Sequence, residues 1–249
     1  MSAGKVYIVG AGPGDPGLLT EKAKNILADA DVVVYDRLVA KEILQQIPKH
    51  AEKIFVGKST GSHHISQHKI DRILVSKAKQ GNLVVRLKGG DPFLFGRGGE
   101  EAQKLRKAKV SYEVVPGITS ALAVPTYAGI PVTHRNYASS IAIVTGHEDP
   151  TKREKQVNWK KLATSVDTII ILMGVGRLQS ILNSLIEGGC DKKTRVAVIE
   201  RGTTKHQRIT VAPIGHMAKQ AAKRKVKPPA VVVIGDVVKL QKELSWFKR

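Results

Sequence analysis

The sequence predicts an α/β protein made of two αβα domains, and three observations carry that prediction. Short runs rich in Val and Ile alternate with amphipathic stretches of helical period. Glycine-rich turns follow directly on several of these runs. One polar, turn-forming stretch near the middle of the chain separates two such alternations. At 249 residues the chain is long enough for one or two domains, each with a substantial core.

Lys5 to Val9 is a short apolar run that stops at a glycine turn, as a buried parallel strand does. Leu18 to Ala30 reads as a helix, with Leu19, Ala23, Ile26 and Leu27 at helical spacing. Asp31 to Tyr35 is a second strand, and Ile54 to Val56 a third. Gln67 to Gln80 is amphipathic through Ile70, Ile73, Leu74 and Ala78, with Gly81 as its stop signal. Asn82 to Leu87 is a strand, Gly99 to Ala108 a helix, and Ser111 to Val115 a strand closed by Pro116-Gly117. The stretch Gly129 to Asn136 has the residues of a linker. The expected division is an N-terminal domain over 1–130, a linker over 131–137 and a C-terminal domain over 138–249. In the second domain Ile141–Thr145, Thr168–Leu172, Arg195–Ile199 and Ala230–Ile234 are strands, and Leu178 to Gly188 is the clearest helix. Two such domains leave a cleft between them, and ligands of doubly wound sheets settle beyond the carboxyl ends of strands.

Composition narrows the function. The single cysteine, Cys190, excludes an internal disulfide framework, and with no His beside it in sequence a structural thiol is the expectation. The N-terminal apolar run is too short for a signal peptide, and no stretch has the length of a membrane span, so a cytoplasmic enzyme is expected. Lys and Arg number 41 against 21 Asp and Glu, a net charge of +20 that favours polyanionic partners: nucleic acid, acidic membranes or a polycarboxylate small molecule. A merely solvated basic surface is the plain alternative.

Three segments carry the chemistry. Gly10-Ala-Gly-Pro-Gly-Asp15 follows the first strand but departs from the dinucleotide pattern: Asp15 stands where the third glycine belongs, and Pro13 removes a backbone donor. Arg86 to Glu101 runs from a strand into Gly89-Gly90, where backbone can approach a ligand closely, and then offers the Asp91 carboxylate for ribose hydroxyls or an ammonium. Phe93 and Phe95 stand out in a chain only 4% aromatic. Arg97 and Glu100, spaced i, i+3, read either as a local ion pair at a helix start or as ligand contacts. In Val115-Pro-Gly-Ile-Thr-Ser-Ala121 a hydroxyl of Thr119 or Ser120 serves as a helix cap or as a ligand contact.

These segments resemble the tetrapyrrole methylase family, and within it the enzymes that C-methylate uroporphyrinogen III. Val9-Gly-Ala-Gly-Pro-Gly-Asp15, Tyr35-Asp-Arg-Leu-Val39, Val56-Gly-Lys58, Val85-Arg-Leu-Lys-Gly-Gly-Asp-Pro-Phe93 and Phe95-Gly-Arg-Gly-Gly-Glu-Glu101 carry the likeness in the N-terminal half. Val115 to Ala121, Tyr127 to Pro131, Thr133-His-Arg135, Val144 to His147, Met173-Gly174 and Glu200-Arg-Gly-Thr203 extend it, in the family's order, over nearly the whole chain.

The resemblance implies S-adenosylmethionine held in the cleft between the domains. Its contacts would be Pro13, Gly89, Gly90, Asp91, Leu94, Thr119 and Ser120, joined from the second domain by Met173, Ala197 and Gly202. It implies Asp36 as proton acceptor and Lys58 as proton donor, or both as groups that orient the substrate. A loop Asp paired with its neighbour Arg37 is the competing view of Asp36. Arg97, Arg135, Lys58 and Arg37 would meet the carboxylates of the macrocycle, and Glu100 joins Arg97 and Arg135 in the implied substrate-binding set. No metal is implied, since a sulfonium is already a good methyl donor; His63, His64 and His68 are read as belonging to a substrate-side loop. A homodimer is implied. The same fold acting on another corrinoid precursor or on ribosomal RNA is the second hypothesis, and a non-enzymatic nucleic-acid-binding protein the third. Scarce aromatics for base stacking weigh against the RNA reading, and the non-enzymatic reading leaves the glycine loops unexplained.

Overall fold

The computed structural model describes residues 4–57, 65–147 and 157–247. The chain divides into two units, Met1–Ser120 and Ala121–Arg249.

The first unit is built on a wholly parallel sheet. Its strands are β1 (Lys5–Gly10), β2 (Val32–Tyr35), β3 (Glu52–Phe55), β4 (Leu83–Lys88) and β5 (Ser111–Val115), in the order β3-β2-β4-β1-β5. Helices α1 (Glu21–Ala28), α2 (Lys41–Leu44), α3 (Gln67–Lys79) and α4 (Gly98–Lys107) cover it. Successive strand residues point to opposite faces. Val9, Val33, Val85 and Leu87 therefore pack with Ala23 and Leu27 of α1 and Ile43 of α2. Val6, Ile8, Val32, Val34 and Val84 pack with Ile70 and Leu74 of α3 and Ala102 and Leu105 of α4. The expected helix from Leu18 begins only at Glu21, because Pro16–Leu18 closes as a separate 3-10 turn and the Thr20 hydroxyl accepts the Ala23 N–H as the helix cap. Ser66 caps α3 in the same way, through the Lys69 N–H.

The second unit opens with α5 (Ser120–Tyr127) and continues with β6 (Ile141–Thr145), α6 (Trp159–Leu162), β7 (Thr168–Leu172), α7 (Leu178–Glu187), β8 (Arg195–Glu200), β9 (Arg208–Pro213), α8 (Ile214–Lys223) and β10 (Ala230–Ile234). The sheet order is β6-β7-β10-β8-β9. This sheet is mixed: only β6 and β7 pair in parallel. Residues 201–207 alone separate β8 from β9, too short a span for a helical crossover, so β9 turns back antiparallel. One face packs Ile181, Leu182 and Leu185 of α7 and Met217 of α8 against Ile171, Val198 and Val232. Cys190 is half-buried against the same core, as a structural thiol would be.

The boundary falls at Ser120/Ala121, ahead of the expected end of the first domain at residue 130. The bonds of α5 and the turn after it explain this. Gln207 Nε2 donates to the Tyr127 carbonyl, Trp246 Nε1 to that of Thr126, and Gln241 Nε2 to that of Ala128. The expected linker 131–137 is a tight turn, bridged between His134 and Ala138. No described helix is long and apolar enough to cross a membrane.

Candidate active site

β1, β4 and β5 are adjacent and parallel, so the loops after Gly10, Lys88 and Val115 emerge side by side at the carboxyl edge of the sheet. Their backbones approach so closely that only glycine fits. A Cβ on Gly117 would lie 2.4 Å from the Gly90 carbonyl oxygen and 2.7 Å from Gly10 Cα. Gly12 and Gly90 exchange backbone hydrogen bonds of 3.2 and 2.7 Å, and the Ala11 N–H donates to the Lys88 carbonyl. Asp91 ties the loops together: Oδ1 accepts the N–H groups of Phe93 and Leu94 at 2.8 and 3.0 Å, and Oδ2 that of Gly117 at 3.2 Å. The carboxylate anticipated to meet ligand hydroxyls thus accepts backbone amides of its own loop and of the next. Pro13, Gly89, Gly90, Asp91, Leu94, Thr119 and Ser120 are all half-buried and stand on, or directly after, the three loops that follow β1, β4 and β5.

Asp36 follows directly on β2. A Cβ on Gly89 would meet Leu38 Cβ at 2.6 Å, so the missing side chain lets the Asp36–Leu38 turn rest against the cradle. Asp36 Oδ1 accepts the Leu38 N–H at 3.0 Å. Its cation is Arg86, with Nη2 at 3.7 Å from Oδ2, and not the adjacent Arg37. Lys58 lies outside the described residues, as do His63 and His64. Among the described residues, no group of three or more His, Cys, Asp or Glu could hold a metal ion.

Beneath Asp36 lies a charged cluster that sequence reasoning missed. Arg86 and Lys88 are 3% and 4% exposed, and Glu101 is 0%. Arg86 Nε donates to Glu101 Oε1 at 3.1 Å, and Lys88 Nζ donates to both Glu101 oxygens at 3.1 and 3.2 Å. Burial pushes the Lys88 ammonium below its ordinary pKa, the Arg86 charge adds to the effect, and Glu101 opposes it. The one signal in the sequence was two cations inside an otherwise apolar strand.

Arg97 and Glu100 form a two-pronged surface pair, Nε to Oε1 at 3.0 Å and Nη2 to Oε2 at 2.7 Å. Phe93, Phe95, Arg97 and Arg135 are exposed. In the second unit Met173 follows β7 and is 51% exposed. Gly202 follows β8 and is buried; a Cβ there would meet Val124 Cγ1. Ala197 is different. It is fully buried in mid-β8, in register with Val211 and Val233, and offers no accessible surface for a cofactor.

Backbone strain marks these segments. Phe95, Arg97, Met173, Arg201 and Thr203 adopt left-handed φ angles of 53, 61, 56, 47 and 64°. Non-glycine residues in that region cost about 1–3 kcal/mol each and concentrate at functional sites. Among the described residues only Lys109 and Lys225 share the property outside the candidate segments.

Residues 5–218 match the family model described as Tetrapyrrole (Corrin/Porphyrin) Methylases. The chain belongs to this family. One relative of the tetrapyrrole methylase is the S-adenosyl-L-methionine-dependent uroporphyrinogen III methyltransferase of Methanosarcina barkeri, 56% identical over 237 residues, covering 95% of this chain and 93% of that protein. Another is the uroporphyrinogen-III C-methyltransferase of Bacillus subtilis, 48% identical, covering 98% of this chain and 95% of the relative. Among solved structures, the uroporphyrin-III C-methyltransferase of Thermus thermophilus complexed with S-adenosyl homocysteine superposes with a TM-score of 0.82 at 42% identity, covering 95% of this chain and 94% of the other.

Proposed function

We propose that this tetrapyrrole methylase is an S-adenosylmethionine-dependent C-methyltransferase that converts uroporphyrinogen III to precorrin-2 by methylation at C2 and C7. The observation that carries the reading is the glycine cradle of Gly10, Gly90 and Gly117, with the Asp36–Leu38 turn resting against it where Leu38 meets Gly89. Relatives with the named activity, similar over nearly their whole length, support it.

When bound, S-adenosylmethionine supplies a methyl group on a sulfonium and leaves as the thioether. Pro13, Gly89, Gly90, Asp91, Leu94, Thr119 and Ser120 hold it by shape and backbone contact, and on the family resemblance Met173 and Gly202 are further cofactor candidates. Asp36 takes the proton that the macrocycle loses after each transfer, and Lys58 returns or directs a proton on the substrate side. Arg97 and Arg135 receive macrocycle carboxylates, with Glu100 holding the Arg97 fork in place. We further propose a cytoplasmic homodimer, on the family resemblance.

The test is an anaerobic incubation of the pure protein with S-adenosylmethionine and enzymatically prepared uroporphyrinogen III, read by mass spectrometry of the tetrapyrrole. Two added methyl groups are expected. Unmodified substrate with cofactor binding intact would overturn this substrate and favour another corrinoid precursor.

A further inference from the structure

Strand alternation explains how charge comes to be buried beneath Asp36. Val34 faces α3 and α4, and two residues on Asp36 continues the same face; on β4, Val84 is followed on that face by Arg86 and Lys88. Glu101, in the first turn of α4, meets them. Its Oε1 accepts from Arg86 Nε, Lys88 Nζ and Gln67 Nε2, each at 3.1 Å. Arg86 is held at a second point, where Nη1 donates to the Val34 and Leu87 carbonyls at 3.3 Å. A guanidinium fixed at Nε and Nη1 cannot turn, and its remaining nitrogen, Nη2, is the one that faces Asp36. Asp36 in turn is anchored through Oδ1 by the Leu38 N–H, which leaves Oδ2 toward Arg86.

A buried ion cluster is a poor source of stability, because desolvation offsets the attraction, but an effective way to fix orientation. We infer that Glu101 is a positioning residue for Asp36, acting through Arg86: it locks the guanidinium that holds the Asp36 carboxylate in its working orientation. This deepens the reading of Asp36 as proton acceptor and rests on it.

The experiment is a double-mutant cycle in the full chain, Glu101→Gln against Asp36→Asn. It measures kcat and KM for uroporphyrinogen III under anaerobic conditions, and the Kd of S-adenosylmethionine by calorimetry. Glu101→Gln is expected to lower kcat about tenfold or more while KM and the cofactor Kd move less than about threefold. On the Asp36→Asn background the same change should alter residual turnover less than about twofold. An equal fractional loss in both backgrounds, or full activity of Glu101→Gln, overturns the inference. If Glu101→Gln does not fold, as absent cofactor binding would report, Arg86→Lys keeps the charge but not the fork and enters the same cycle under the same criteria. Full activity of Asp36→Asn alone would instead overturn the reading of Asp36 itself.

Discussion

Asp91 shows how much one side chain does here. Its two oxygens accept three backbone N–H groups, two within its own loop and one from Gly117 in the next. Removing the acceptor leaves each amide short of a partner, at about 1–3 kcal/mol where water cannot replace it. Asp91→Ala is therefore expected to raise the Kd for S-adenosylmethionine at least about tenfold; near-native affinity by calorimetry would sink the assignment. Arg97 makes a different prediction. Its side chain is exposed and already paired with Glu100, so Arg97→Ala should leave thermal stability nearly unchanged. It should instead raise KM for the macrocycle while the cofactor Kd stays constant. Steady-state kinetics over a range of tetrapyrrole concentrations checks this, and an unchanged KM would exclude a carboxylate contact.

Elements constrain one another through single missing side chains. Gly202, just after β8, lies against Val124 of α5. Gly202→Ala would drive a methyl into that contact and is expected to destabilise the protein by about 1–3 kcal/mol through overpacking. Val124→Ala in the same chain should recover part of the loss. Chemical denaturation of the two single variants and the double variant tests the pair, and strictly additive losses would refute the packing account. The turn from β4 into α4 is constrained otherwise: Phe95 and Arg97 are held in left-handed conformations, so the loop that carries the cofactor candidates also stores strain.

At the scale of the whole molecule, charge dominates. The excess of +20 is expected to draw in a polycarboxylate and to make capture sensitive to salt. One surface carboxylate makes a prediction about acid stability. Lys22 and Lys5 hold Glu113 down to about 2 from its ordinary 4.5. A depressed carboxyl pKa contributes stability that is present above the ordinary value and is lost as pH falls toward the lowered one. Melting temperature should thus fall between pH 4.5 and about 2 more steeply in the natural chain than in Glu113→Gln. Parallel curves would show that the two lysines do not act through Glu113.

The sequence by itself determined every strand but β9, the helices α1, α3, α4 and α7, and the glycine turns of the candidate cofactor loops, because those signals are local. A Val-rich run, a helical period or a turn that admits only glycine is written within a few adjacent residues, as at Val32–Tyr35, Gln67–Lys79 and Gly89-Gly90. The position of Asp36 at the end of β2 was legible for the same reason, while its proposed role rests on the family resemblance. Only the tertiary structure decided the rest. The antiparallel course of β9, the membership of α5 in the second unit and the burial of Ala197 depend on what packs from elsewhere in the chain. The pairing of Arg86 and Lys88 with Glu101 is the sharpest case. On a strand or a helix surface each of these charges looks solvated; they become a buried cluster only when α4 closes over the face of β4 and brings Glu101 within hydrogen-bond reach of both cations.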